Sequence, residues 1–230
     1  VSGSELEITS AGVLTFVTAP DYETKTSYTA TVSASDGTNT TTQDITVNIT
    51  NVNDVAPEFT SDATFSAAEN QTAIGTVTAT DADGDDVTFT VSGSELEITS
   101  AGVLTFATAP DYETKTSYTA TVTASDGTNT VTQDITVNVT DANDPPTFTS
   151  NATFSAAENQ TAIGTVTATD PEGDALSFTI SGSDITIVSS TGLLEFASAP
   201  DYESQTSYSA TVTVSDGTNS VTQDITVNVT

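Results

Sequence analysis

The chain has 230 residues, of which 32 are Asp or Glu and two, Lys25 and Lys115, are basic; with no histidine the formal net charge is -30. A surface of that sign repels nucleic acid and anionic lipid, and its self-repulsion disfavours a compact state unless the charges are spread along an extended object or cations neutralise the dense clusters. Cysteine is absent, which excludes disulfides and thiolate metal sites. No stretch approaches the roughly 18 consecutive apolar residues of a membrane-spanning helix, and residues 1–15 hold no basic segment followed by an apolar run. The expectation is a soluble segment whose export signal, if any, lies outside it.

In chain order, the first landmark is APDYETKTSYTATV at Ala19, which recurs at Ala109 and, as APDYESQTSYSATV, at Ala199. Three copies at a spacing of 90 residues mark a tandem repeat. Val1 corresponds to Val91, so the first copy, residues 1–54, reads as the C-terminal part of a repeat. The proline-containing segment NVNDVAPEF, from Asn51, ends it, because proline removes a ladder donor and fixes φ.

Residues 55–144 read as one complete repeat. Apolar positions alternate with Thr and Ser at Val77 and Ala79, at Val87, Phe89 and Val91, at Leu96 and Ile98, and at Leu104 and Phe106. Gly84, Gly93 and Gly102 stand in the breaks. Tyr118, Ala120, Val122 and Ala124, then Ile135, Val137 and Val139, continue the period of two expected of half-buried antiparallel strands. The DGTNT turn from Asp126 joins these two into a hairpin.

DANDPPTF, from Asp141, closes that repeat, and residues 145–230 form the third, without a C-terminal linker of their own. The anchor AAENQTAIGTVTATD begins at Ala67 and at Ala156, 89 residues on. One residue is therefore inserted between Asp184 and Gly192, a change of the size loops tolerate. About seven short strands per repeat with no helical period predict an all-β chain of tandem Ig-like Greek-key β-sandwiches, with a barrel as the lesser alternative.

The acidic residues concentrate at strand ends and linkers. The second repeat carries AEN (Glu69), TDADGDD (Asp81, Asp83, Asp85, Asp86), DYE (Asp111, Glu113), ASDG (Asp126) and DAND (Asp141, Asn143, Asp144). In that order the motifs resemble those of the cadherin family, and the resemblance runs over essentially the whole chain, in a form suited to a microbial surface adhesin. It implies a linear array of cadherin-like repeats with Ca²⁺ as cofactor at each junction, three ions per junction in the family.

Carried over by position, the second junction would use Glu69, Asp111, Glu113, Asp141, Asn143 and Asp144 from the upper repeat and Asp170, Glu172 and Asp216 from the lower. The first would use Asp21, Glu23, Asn51, Asn53, Asp54, Asp81, Asp83 and Asp126. Glu158, Asp201 and Glu203 repeat the upper half of such a set in the third copy. Hard oxygen donors at this density favour Ca²⁺, which takes six to eight ligands, over octahedral Mg²⁺.

The first junction is the weaker: Asn51 stands where the second has Asp141. Val55 and Pro145 stand where the family has Asn, and Glu172 replaces the second Asp of Asp-x-Asp. Asp85, Asp86 and Asp174 have no counterpart in the family and read equally well as solvated charges. Tyr22, Tyr112 and Tyr202 read as plugs at a sandwich corner.

No His, Cys, Arg or Trp is present, so the usual general bases, activated thiols, anion clamps and sugar-stacking platforms are missing. The reading is an extracellular or cell-surface structural or adhesive rod rather than an enzyme, with a ligand- or glycan-binding adhesion module as the alternative. The partners expected are calcium ions and neighbouring repeats or identical chains, one of which completes residues 1–54; stalk and filament remain open. The sequons at Asn48, Asn70 and Asn138 would carry sugars in a glycosylating host, although in so Thr-rich a chain chance explains most of them.

Overall fold

Alternation of apolar and hydroxyl side chains commits the chain to strands throughout. The computed structural model describes residues 1–230 and contains 22 strands and no helix. The strands gather into two compact units: residues 1–67, 71–110 and 117–139, and residues 68–70, 111–116 and 140–230.

In the first unit, Leu6–Ile8 pairs with Leu14–Phe16, and Ser27–Ser35 with Thr40–Asn48. A four-stranded sheet follows in the order Thr64–Ala68, Thr130–Thr140, Ser117–Ser125, Thr88–Val91. A three-stranded sheet runs Leu96–Ile98, Val103–Phe106, Ala73–Thr76, and Glu58–Phe59 pairs with Ala79–Thr80. Between the sheets lie Leu104, Val122, Ala124 and Val137, none with any exposure. Phe106 meets Tyr118 edge-on at 5.0 Å between ring centroids, and Phe16 meets Tyr28 in the same way.

The second unit repeats the plan. Thr153–Ala156, Ser220–Val229, Ser207–Ser215 and Ser177–Ile180 form one sheet; Ala162–Thr165, Leu193–Phe196 and Ile185–Ile187 form the other. Val166, Leu194, Val212, Val214 and Val227 fill the space between them.

Two features depart from the sequence reading. Each complete repeat spends nine strands rather than seven, because very short pairs such as Glu58–Phe59 with Ala79–Thr80 carry too little period to show. Thr153–Ala156 lies parallel to Ser220–Val229, Phe154 opposite Val227. Alternation reports a buried face but not strand direction.

The extra residue of the third copy sits in the turn from Val188 to Gly192, outside any strand. Gly102 is fixed by contact as well as by its φ of 86°. A Cβ there would lie 2.2 Å from the Val77 carbonyl oxygen, and Gly192 stands against Val166 in the same way.

Candidate metal centre

Glu69 leaves the end of strand Thr64–Ala68 and is the one charged residue buried in the chain, 3% exposed. Its Oε2 accepts the Tyr112 amide at 2.7 Å and its Oε1 the Ala142 amide at 2.8 Å. Glu158 takes the Tyr202 amide at 3.1 Å. Tyr112 and Tyr202 thus serve through their backbone, and Tyr202, 45% exposed, is no plug.

Around Glu69 two triads share Glu113: Glu69, Glu113 and Asp141, and Glu113, Asp144 and Glu172. In each, one carboxylate oxygen per residue lies within 4.8 Å of the others. Desolvation pushes the Glu113 carboxyl up, its own amide opposing, and repulsion from Glu69, Glu172 and Asp141 adds to the rise. Glu172 Oε2 accepts the Asp144 amide at 3.2 Å. Its Oε1 and the Oδ2 of Asp170 are buried with no hydrogen-bond partner. Asn70, with φ at 61°, donates its amide to Asp144 Oδ1 at 2.7 Å.

The linker Asn51–Asp54 brings a second pair of triads together, sharing Asp83: Glu23, Asp54 and Asp83, and Asp81, Asp83 and Asp85. Asp83 Oδ2 accepts the Asp54 and Val55 amides at 3.1 and 3.0 Å. Asp81 Oδ1 accepts the Asp83 and Asp85 amides at 2.9 and 3.4 Å. The other oxygens, Asp81 Oδ2 and Asp83 Oδ1, are buried and unpartnered. Glu23 is held by its own amide toward the ionised form, yet desolvation and the neighbouring Asp83 leave its carboxyl raised.

Asn51 donates to the Asp83 carbonyl at 2.8 Å, and Asn53 Oδ1 accepts from Asn129 at 2.8 Å. Asp85 is the residue sequence reasoning left undecided; its signal was the Asp-x-Asp-x-Asp spacing. A fifth triad joins Glu158, Asp201 and Glu203.

Asp21, Asp111, Asp126, Asp170 and Asp216, although assigned to the same sets, enter no triad. All five cap their own loops, Asp170 through its Oδ1, which accepts the Asp174 amide at 3.0 Å. Asp21 and Asp111 accept from Thr24 and Thr114, and the Thr24 hydroxyl and amide hold Asp21 below the ordinary aspartate range. Asp126 Oδ1 accepts the Thr128 and Asn129 amides at 2.7 and 2.6 Å; against desolvation, these bonds keep its carboxyl low. Asp216 is likewise desolvated and yet lowered, by Asn143, which donates to its Oδ2 at 2.8 Å, and by the Thr218 and Asn219 amides.

Comparison with known proteins bears on the fold. A family model described as Bacterial Ig domain matches residues 143–230. The mouse protocadherin-24 EC1-3 crystal structure superposes on all of this chain and 89% of its own, with a TM-score of 0.62 at 21% identity. The repeats are cadherin-like. Cadherin EGF LAG seven-pass G-type receptor 1 of Mus musculus is 31% identical over 194 residues, 75% of this chain and 6% of that protein. Chitinase A of Pseudoalteromonas piscicida is 36% identical over 156 residues, 66% of this chain and 19% of that protein. The chain therefore spans less than a fifth of the length of either curated relative.

Proposed function

We propose that these repeats form an extracellular, calcium-binding structural or adhesive rod, in which Ca²⁺ at the junctions rigidifies a surface stalk or filament. The repeats would be residues 1–54, 55–144 and 145–230. The observation that carries this reading is the set of buried carboxylate oxygens without a donor, Asp81 Oδ2, Asp83 Oδ1, Asp170 Oδ2 and Glu172 Oε1, in or beside acidic triads. A buried anion without a counter-charge is costly, and the chain offers one lysine ion pair in the region of the first cluster, Lys25 with Glu5, which reaches none of them.

The donor set fits a hard divalent cation. Calcium supplies the compensating charge and six to eight positions for oxygen. Glu23, Asp54, Asp81, Asp83 and Asp85 would hold it in the first cluster, with Asn51 and Asn53 orienting the linker. In the second, Glu69, Glu113, Asp141, Asp144 and Glu172 would hold it with Asp170. Asp21, Asp111, Asp126 and Asp216 shape the loops and offer oxygens at the rim, as Asn143 does for Asp216. Extracellular modules of this type bind at about 10⁻⁴–10⁻³ M, which places loading outside the cell.

Linkers bridged by cations resist bending, whereas repelling carboxylates push a linker open. Small-angle scattering tests this: the maximum dimension is greater and better defined in calcium than with a chelator, and equal values in both would refute stiffening.

The similarity to the chitinase favours a second reading, a glycan-binding adhesion module. Retention of the chain on insoluble chitin, undiminished by a chelator, would support that reading over the first. The cadherin-named relatives and the absence of histidine, cysteine and arginine weigh against catalysis by the chain itself.

A further inference from the structure

Asn70 follows Glu69 with φ at 61°, in the left-handed region where glycine is the least strained residue. The third copy repeats the conformation at Asn159, φ 62°. What asparagine adds over glycine is a side chain, and that of Asn70 donates Nδ2 to Asp144 Oδ1 at 2.7 Å. A carboxylate only accepts, so the nitrogen of this amide is the end that faces Asp144.

Asp144 is tied twice. Its backbone amide donates to Glu172 Oε2 at 3.2 Å, and its carboxylate is held by a residue 74 positions earlier in the chain. With Glu113 and Glu172 it forms a triad whose oxygens lie within 4.8 Å of one another. Carboxylates at that distance repel, and one with no donor relieves the repulsion by swinging into water. A donor on Oδ1 opposes the swing and fixes the direction of the other oxygen. The Tyr112, Ala142 and Asp144 bonds to Glu69 and Glu172 come from backbone amides. Asn70 brings a side-chain donor, which a substitution removes without touching the main chain.

We infer that Asn70 is the positioning residue of the second cluster: its amide holds the Asp144 carboxylate beside Glu113 and Glu172 before any cation arrives. The triad is then assembled by the protein rather than gathered by the metal. The consequence for calcium uptake rests on the calcium reading proposed above; the hold on Asp144 in the metal-free chain does not. Outer partners that orient a ligand typically change metal affinity by about 10–100-fold when removed.

The test compares the whole chain with its Asn70→Gly variant, which suits a φ of 61° and deletes the donor. In chelator, amide exchange at residue 144 is followed by NMR, with the Asp83 amide of the first cluster as internal reference. Exchange at residue 144 is expected to be at least about tenfold faster in the variant, with Asp83 unchanged. Calcium is then titrated in, the amide resonances of residues 144 and 172 reporting the second cluster and that of Asp83 the first. The midpoint at the second cluster rises at least about tenfold and that at the first stays where it was. In an Asp144→Ala background, Asn70→Gly speeds exchange at residue 144 no further.

Unchanged exchange at residue 144 overturns the inference, as does acceleration undiminished in the Asp144→Ala background. Faster exchange with an unmoved calcium midpoint, or equal shifts at both clusters, makes Asn70 a merely structural residue and overturns it too. If the unaltered chain gives no calcium response at either cluster, the calcium reading fails by itself, and exchange in chelator alone decides the role of Asn70.

Discussion

Glu69 concentrates the chemistry of the second cluster in one side chain. Buried and accepting two backbone amides, it fixes the DYE loop and the linker at once. In the chelated protein, Glu69→Ala leaves both amides without an acceptor and destabilises by roughly 2–4 kcal/mol in thermal denaturation, on the usual penalty per buried unsatisfied group. Glu69→Gln, which keeps one oxygen, costs less.

The carboxyls also set a pH response with two limbs. Asp126 and Asp216 are lowered in the fold, so their contribution is present above the ordinary aspartate value of 3.8 and is lost as pH falls through their folded values. Glu113 and Glu23 are raised, so their ionisation destabilises the folded state at neutral pH, and stability recovers as pH falls through values above the ordinary 4.5. Denaturation of the chelated chain across pH 7 to 3 therefore shows stability rising and then falling; a monotonic fall would contradict the assignment of Glu113.

The motif order named every acid of the triads except Asp85. It did not separate the oxygens that meet in triads from Asp21, Asp126 and Asp216, because capping of a local loop and orientation toward a cation use the same residue type. Asp85 was left undecided for a related reason: its place is decided by the Asp81 loop, in which two amides fold onto one carboxylate.

At the scale of strands and turns, the glycine breaks carry information that periodicity does not. Gly102 and Gly12 share a sequence and a positive φ, yet only Gly102 meets a backbone oxygen. Gly102→Ala therefore costs about 2–4 kcal/mol, from strained backbone and displaced neighbours together. Gly12→Ala costs only the left-handed penalty of about 1 kcal/mol. Urea titration of the two variants measures the contrast, and equal losses would show that the Val77 contact is immaterial.

The long hairpin, 117–125 with 130–140, was plain from alternation and its Asp-Gly turn. The two-residue pairs and the parallel edge strand were not, since neither length nor direction is written in a period of two. The sandwich itself was legible because Leu104, Val122, Ala124 and Val137 all fall on one face of their strands.

For the whole molecule, a charge of -30 and triads of carboxylates within 4.8 Å pose one problem. The chain cannot neutralise its clusters with two lysines, and Lys25 is already occupied with Glu5 at 2.6 Å. On the proposed reading external cations resolve it, at the unpartnered buried oxygens. The repeat period made the matched acids at matched strand ends visible in the sequence. The most direct test is a calorimetric titration of Ca²⁺ into the chelator-stripped chain. Saturable uptake of more than one ion, half-complete at about 10⁻⁴–10⁻³ M, is the predicted result. Heats no different from dilution up to about 10 mM, an order of magnitude above that range, would contradict it.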